Sequence, residues 1–142
     1  MNKKKAVKEF VTEHRVRYAD TDKSGRGYYA AYLRWFEIGR IEAIRSLGII
    51  YSELEKQGFF APVVELNVNY KHPVEYDEEL LLETNIEKVG TTSIKLGYLL
   101  YRKKDSLLLA QASTTHVIVG RSGRPRRIPE SIKKLLKEKP LD

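Results

Sequence analysis

The 142-residue chain has no cysteine. Disulfides, thiolate nucleophiles and the thiolate-based zinc and iron–sulfur sites are therefore excluded, and any metal site would have to be built from histidine and carboxylate. Histidine is scarce too. His14, His72 and His116 lie far apart, with no second histidine or carboxylate at ligand spacing on a shared face, so no metal is expected. Long apolar runs are also missing: none approaches the roughly 18–20 residues that span a bilayer. The basic start, Met1 to Phe10, leads into no apolar stretch of the signal-peptide kind. The reading is a chain with no membrane span and a cytoplasmic location. Internal repeats, low-complexity segments and linkers are absent, which leaves one domain over residues 1–142.

What is present is enough for a core: 42% of residues are apolar and 32% charged, so the chain can bury a centre and stay soluble. Lysine and arginine number 26 against 19 acidic residues, a net charge of +7. The excess gathers in residues 3–8 and at Arg121, Arg124, Arg126 and Arg127. Such a balance suits nucleic acid, a membrane surface or a small polyanion such as a nucleotide. No aromatics interleave with the arginines near residue 124, so no nucleic-acid partner is expected. A composition rich in Lys, Arg and Glu is also that of thermophile surfaces, which would make part of the charge a matter of stability.

Residues 13–18 alternate loosely and predict a short strand, and residues 19–28, with Asp20, Asp22, Ser24, Gly25 and Gly27, predict a loop. From Tyr29 to Leu47 apolar residues recur at the 3.6-residue period through Tyr32, Leu33, Phe36, Ala43, Ile44 and Leu47, and Trp35, Ile38 and Ile41 widen the stripe. A helix so apolar needs cover on most sides, which a curved sheet supplies. Gly39 in its middle costs about 1 kcal/mol relative to alanine, which points to close approach of another backbone, and Gly48 ends the helix. A short polar helix is predicted at residues 52–57. The period then switches to 2, giving strands through Val64–Tyr70, Leu80–Ile86, Ile94–Leu100 and Leu107–Val119. The short turns between them predict a consecutive antiparallel meander. Pro129 opens a terminal helix carrying Ile132, Leu135 and Leu136, over 129–138. Together this is an α+β layout.

The phosphate-loop pattern and the Gly-x-Ser-x-Gly elbow are absent. Gly25-Arg26-Gly27-Tyr28-Tyr29-Ala30 meets the relaxed dinucleotide fingerprint, but that fold needs parallel strands and the later chain reads as hairpins. The glycines instead make a tight loop at the start of a helix, whose unpaired N–H groups and positive dipole end can polarise a carbonyl oxygen. A carboxylate from Asp20 or Asp22 beside such donors is a minimal hydrolytic site, and turn capping is the competing role for the same residues.

Tyr18-Ala19-Asp20-Thr21-Asp22-Lys23-Ser24-Gly25, continuing through Tyr28-Tyr29-Ala30-Ala31-Tyr32-Leu33-Arg34-Trp35-Phe36-Glu37, resembles the signature of the hotdog-fold acyl-CoA thioesterases. The similar branch is the one around 4-hydroxybenzoyl-CoA thioesterase and the Tol-Pal-associated acyl-CoA thioesterases. Asn69–Glu78 and Gly123–Pro129 resemble further segments of that family, so the likeness covers nearly the whole chain. The resemblance implies a hotdog fold, a curved antiparallel five-stranded sheet around a long central helix. It also implies hydrolysis of an acyl-CoA to acid and free coenzyme A, with no cofactor beyond the substrate's own coenzyme A.

On that likeness the catalytic carboxylate falls on Asp22, as base or nucleophile, made more basic by burial at a subunit junction, and the carbonyl is polarised by the N–H of Tyr29. Gly25 and Tyr28 would line the substrate site, and Lys71, Lys88, Arg121, Arg124 and Arg126 are the candidates for the coenzyme's phosphates. A homodimer or homotetramer is implied. Two positions depart from the pattern: Arg26-Gly27 replaces a pair of valines, and Ala31 replaces an asparagine. They motivate the alternative of a non-catalytic acyl-CoA or acyl-carrier binding module. Glu37 is a rival carboxylate, read as structural because Arg34 and Arg40 stand at pairing distance on the helix. His72 reads as a packing residue and His116 as a satisfied sheet residue.

Overall fold

The computed structural model describes residues 10–138. The N-terminal basic segment therefore lies outside the described residues, apart from Phe10. In chain order the elements are β1 (Phe10–Arg15), a 3-10 turn (Tyr18–Asp20), α1 (Ala31–Ser46), α2 (Tyr51–Lys56), β2 (Val63–Tyr70), β3 (Glu79–Val89), β4 (Ser93–Arg102), β5 (Leu107–Val117) and α3 (Glu130–Lys137). The strands form one antiparallel sheet in the order β1-β3-β4-β5-β2.

The core is made where α1 crosses the concave face. Tyr32, Trp35, Phe36, Gly39 and Ala43 form its buried stripe. They meet Leu80, Leu82, Leu96, Tyr98 and Leu100, all close to fully buried. Phe36 stacks on Tyr98 with centroids 4.8 Å apart, tying the helix to β4. Irregularities between Ile86 and Lys88 and between Leu100 and Tyr101 interrupt the strand register, as bulges do where a sheet bends. The curved sheet around a central helix expected from the sequence is what forms. Gly39 is needed for closeness to side chains rather than to a backbone: a Cβ there would sit 2.5 Å from Leu82 Cδ2 and 2.6 Å from Thr84 Oγ1.

The consecutive meander holds only for β3, β4 and β5. β2 does not pair with β3; it returns to the far edge and pairs with β5, Val63 opposite His116 and Tyr70 opposite Ala110. The Lys71–Glu78 connection carries the chain across, leaving β3 to be flanked by β1 and β4. As an edge strand β2 presents Val64, Leu66 and Tyr70 uncovered. The first strand also begins earlier than its loose alternation indicates, at Phe10, and stops at Arg15 because Val16 N–H bonds Glu78 O and the chain then enters the 3-10 turn. His72 is exposed in the connection and not packed.

Candidate active site

The loop before α1 is organised by two aspartates with different jobs. Asp20 is buried, and its carboxylate accepts the Arg17 N–H at 2.8 Å and is gripped by Arg34 Nη2 from the first turns of α1. It ties the 3-10 turn to the helix. Asp22 is exposed, and its Oδ1 accepts the Ser24 N–H at 2.8 Å and the Ser24 hydroxyl at 2.5 Å. Both aspartates therefore fix turns, as short polar side chains in glycine-containing loops do. Of the two, only Asp22 is exposed, with Ser24 as its one side-chain partner among the described residues.

The burial expected to make Asp22 more basic is not found in the protomer. Its carboxyl is held below the usual carboxylate range, first by the Ser24 hydroxyl and then by the Ser24 N–H, against a smaller opposing effect of desolvation. Hydrogen bonds to the charged form stabilise that form, so Asp22 is ionised at neutral pH.

The loop folds back on itself: Thr21 bridges Gly27, and Asp22 N–H donates to Arg26 O at 2.9 Å. Gly25, at φ +83°, makes the turn. Gly27 lies against Val74, where any Cβ would overlap the valine side chain, which accounts for the glycine in place of the family's valine. Tyr28 N–H is spent on Asp20 O at 2.7 Å, and Ala31 N–H on Tyr28 O. Among the described residues Tyr29 N–H meets no acceptor, and no side chain caps the start of α1. The Tyr29 carbonyl is fixed by the Tyr70 hydroxyl at 2.8 Å. A free main-chain donor at the positive end of a 16-residue helix thus belongs to the same short loop as an ionised carboxylate.

The remaining candidates divide. Lys71 follows β2 at the Tyr29 end of the sheet and is exposed. Lys88 is nine residues along β3 from Glu79, about 30 Å at the strand rise, and so lies at the opposite end. Arg121, Arg124 and Arg126 share one loop at that far end, joined to Phe60 and Thr91 through Val119 and Ile128. Arg121 Nη2 donates to Lys56 O, while Arg126 donates to Gly58 O and covers the Phe59 ring at 3.9 Å. These two arginines hold a loop together, and one protomer does not gather all the cationic candidates around Asp22. Among the described residues no group of three His, Asp or Glu side chains could hold a metal, and no helix is long and apolar enough to cross a membrane.

Glu37 forms no ion pair among the described residues, and Arg34 turns back to Asp20. Glu37 and Arg40 instead border a cavity of about 160 Å³ between α1 and the sheet, with Tyr51, Ala61 and His116 on its far side and isoleucines and Leu96 as walls. His116 is buried, with Nδ1 3.0 Å from Ala61 O and Nε2 2.9 Å from Thr114 Oγ1, which in turn is 2.7 Å from the Tyr98 hydroxyl. A carbonyl only accepts, so Nδ1 carries the proton and Nε2 accepts from Thr114. Burial lowers the pKa of His116 and keeps it neutral, with the Arg40 charge adding to the effect. Sequence reasoning missed this cavity. A larger groove, about 230 Å³, lies between α1, β3 and α3, bordered by Ser46, Thr84, Asn85, Glu87 and Lys88 among others.

The sequence profile of the thioesterase superfamily matches residues 25–109. The chain belongs to that superfamily. YneP of Bacillus subtilis is 40% identical over 107 residues, covering 75% of this chain and 77% of YneP. The acyl-CoA thioesterase YbgC of Haemophilus influenzae is 32% identical over 120 residues, 84% of this chain and 88% of YbgC. Among solved structures, the DHNA-CoA thioesterase of Staphylococcus aureus superposes with a TM-score of 0.81 at 36% identity, over 84% of this chain and 80% of that one. The hotdog fold and the thioester hydrolase class that the sequence resemblance implied are both borne out.

Proposed function

We propose that this thioesterase hydrolyses an acyl-CoA to the free acid and coenzyme A, using Asp22 and the Tyr29 N–H. The observation that carries this is their pairing in one loop: an ionised carboxylate steadied by Ser24, and an unspent donor at the uncapped start of α1. The Tyr29 N–H takes the thioester oxygen as it gains charge. In one route Asp22 removes a proton from water, whose oxygen attacks the carbonyl carbon; the C–S bond breaks and the thiolate takes up that proton. In the other route an Asp22 oxygen attacks directly, thiolate leaves, and water opens the mixed anhydride. Ala31, at the first position of α1, offers no polar group to either route.

The working unit is a homodimer or a tetramer of such dimers, in the cytoplasm. The uncovered edge strand β2 supports this, since Val64, Leu66 and Tyr70 stand exposed beside unpaired main-chain groups. A two-fold axis joins identical edge strands antiparallel, so the start of β2 in one copy meets its end in the other. That arrangement carries the second copy's Arg121, Arg124 and Arg126 toward the Asp22 end of the first, where they can take the coenzyme's phosphates together with Lys71.

Thiol release from short-chain, long-chain and aromatic acyl-CoAs tests the reading, with light scattering for the assembly. Turnover of at least one substrate by a dimer or tetramer is expected. Tight acyl-CoA binding without turnover across the panel would instead select the binding-module alternative.

A further inference from the structure

We infer that Tyr70 is a positioning residue for the reaction, its hydroxyl holding the Tyr29 main chain so that the Tyr29 N–H stays aimed at the thioester oxygen. This rests on the proposed hydrolysis and is independent of the dimer.

The start of α1 lacks what ordinarily fixes a helix start. No side chain caps it, and the N-cap position is filled by Ala30, where Ser, Thr, Asp or Asn would supply an oxygen. Tyr29 therefore depends on bonds made elsewhere. On its upstream side, the peptide that carries the Tyr29 N–H is held by its other end, the Tyr28 carbonyl, which accepts the Ala31 N–H at 2.9 Å. On its downstream side, no backbone N–H among the described residues reaches the Tyr29 carbonyl. The Tyr70 hydroxyl takes that place, donating at 2.8 Å. With both adjoining peptides held, rotation about Tyr29 is restrained and its free N–H keeps one direction, which is what a donor to a developing charge requires.

Tyr70 is itself held. Its main chain pairs with Ala110 of β5, and the next two residues, Lys71 and His72, both donate to Leu109 O, at 2.8 and 3.1 Å. Its ring meets Tyr32 edge-on with centroids 4.8 Å apart, and Tyr32 is buried in the core. The sheet thus reaches the loop through a rigid aromatic arm, the kind of support that a preorganised site needs. Burial, and then the neighbouring Tyr29, push the Tyr70 hydroxyl above its ordinary pKa, so it stays a donor through the neutral range. Packing alone does not account for the residue. Tyr70 is 46% exposed, and a ring against Tyr32 needs no oxygen.

The experiment is Tyr70→Phe, which keeps the ring and removes only the hydroxyl, assayed by thiol release from an acyl-CoA that the parent turns over. We expect kcat and kcat/KM to fall together by about three- to tenfold, the worth of one neutral hydrogen bond, with Tm and the mass by light scattering unchanged. In amide NMR spectra of the same variant the Tyr29 signal should shift and exchange faster with solvent, while amides in the middle of α1 stay in place. Difluorotyrosine in place of Tyr70 keeps both ring and hydroxyl but ionises at lower pH. Its kcat should therefore fall with rising pH earlier than in the parent, an effect that a merely structural role would not produce.

Parental kcat in Tyr70→Phe overturns the inference, and so does a loss of kcat matched by a loss of Tm or of assembly. A difluorotyrosine protein with the parent's pH profile overturns it as well. The two readings fail separately. A parent that releases no thiol from any acyl-CoA, with the Tyr29 amide displaced in Tyr70→Phe, rejects hydrolysis and keeps the tether. Equal thiol release by parent and variant, with the Tyr29 amide unmoved, keeps hydrolysis and rejects the tether.

Discussion

Asp20 and Asp22 are two residues apart, yet removing one carboxylate should disable folding stability and removing the other should disable chemistry. Asp20 is nearly buried and satisfies two donors, the Arg17 N–H and the Arg34 guanidinium. In Asp20→Asn one amide oxygen can serve one of them, and the other meets an NH2 group that can only donate. The loss is one charge-assisted hydrogen bond plus a donor facing a donor. With Arg34 about one-third exposed, the lower part of the range for broken buried pairs applies, about 2–3 kcal/mol. For a chain of this size that lowers Tm by about 4–12 °C.

Asp22 is fully solvent-facing in the protomer, so Asp22→Asn should leave Tm almost unmoved while thiol release falls by about 100-fold or more, the usual worth of a positioned base. Thermal unfolding followed by fluorescence, beside a thiol-release assay run well below the lowest Tm, separates the two outcomes. Full turnover in Asp22→Asn, or an Asp20→Asn protein that is as stable as the parent but inactive, would show that the roles have been assigned the wrong way round.

Three further outcomes follow from the same geometry. Ser24→Ala removes the strongest influence holding the Asp22 carboxyl down, so activity should be lost at a higher pH on acidification, visible as a shifted acid limb of kcat/KM. Gly39→Ala places a Cβ 2.5 Å from Leu82 and 2.6 Å from Thr84; overpacking of about 1–3 kcal/mol outweighs the gain of about 1 kcal/mol in helix propensity, so urea denaturation should show a net loss. His14 and His116 both have pKa values lowered, chiefly by burial. The folded state then binds fewer protons than the unfolded one, so stability is complete above the ordinary histidine value and falls as pH drops below about 6.5 toward the lowered values. Urea midpoints measured between pH 7.5 and 5 should decrease, and His116→Gln should flatten part of that slope.

The parts of this molecule readable in its sequence are those decided locally. A period of 2 located β2, β4 and β5 within a residue or two and β3 within three, and the stripe through Tyr32, Trp35 and Phe36 located α1 and the need to wrap it. The position of β2 was not readable, because alternation shows that a residue run is a strand and says nothing about which neighbour it will pair with. The apolar side of β2 looked like any other inward face. Ser24, two residues after Asp22, is the spacing of a side-chain turn and could have signalled the acidified carboxylate. Asp20 and Asp22 looked equivalent, since only the path of Arg34 decides which is buried. Arg40 was hidden for a related reason: a charge on a helix is ordinarily solvated, and its reach into a cavity depends on how α1 is rotated against β4 and β5.

The pairing of β2 with β5 also sets a timetable for synthesis. α1 is complete at Ser46, but the sheet that covers Trp35 and Phe36 is not finished until Val117 is available. At about 5–20 residues per second that interval is roughly 4–14 s. For all of it the ribosome carries an aromatic helix with nothing to hide in. A nascent chain of this design is therefore a natural client for a holding chaperone until its last strand emerges.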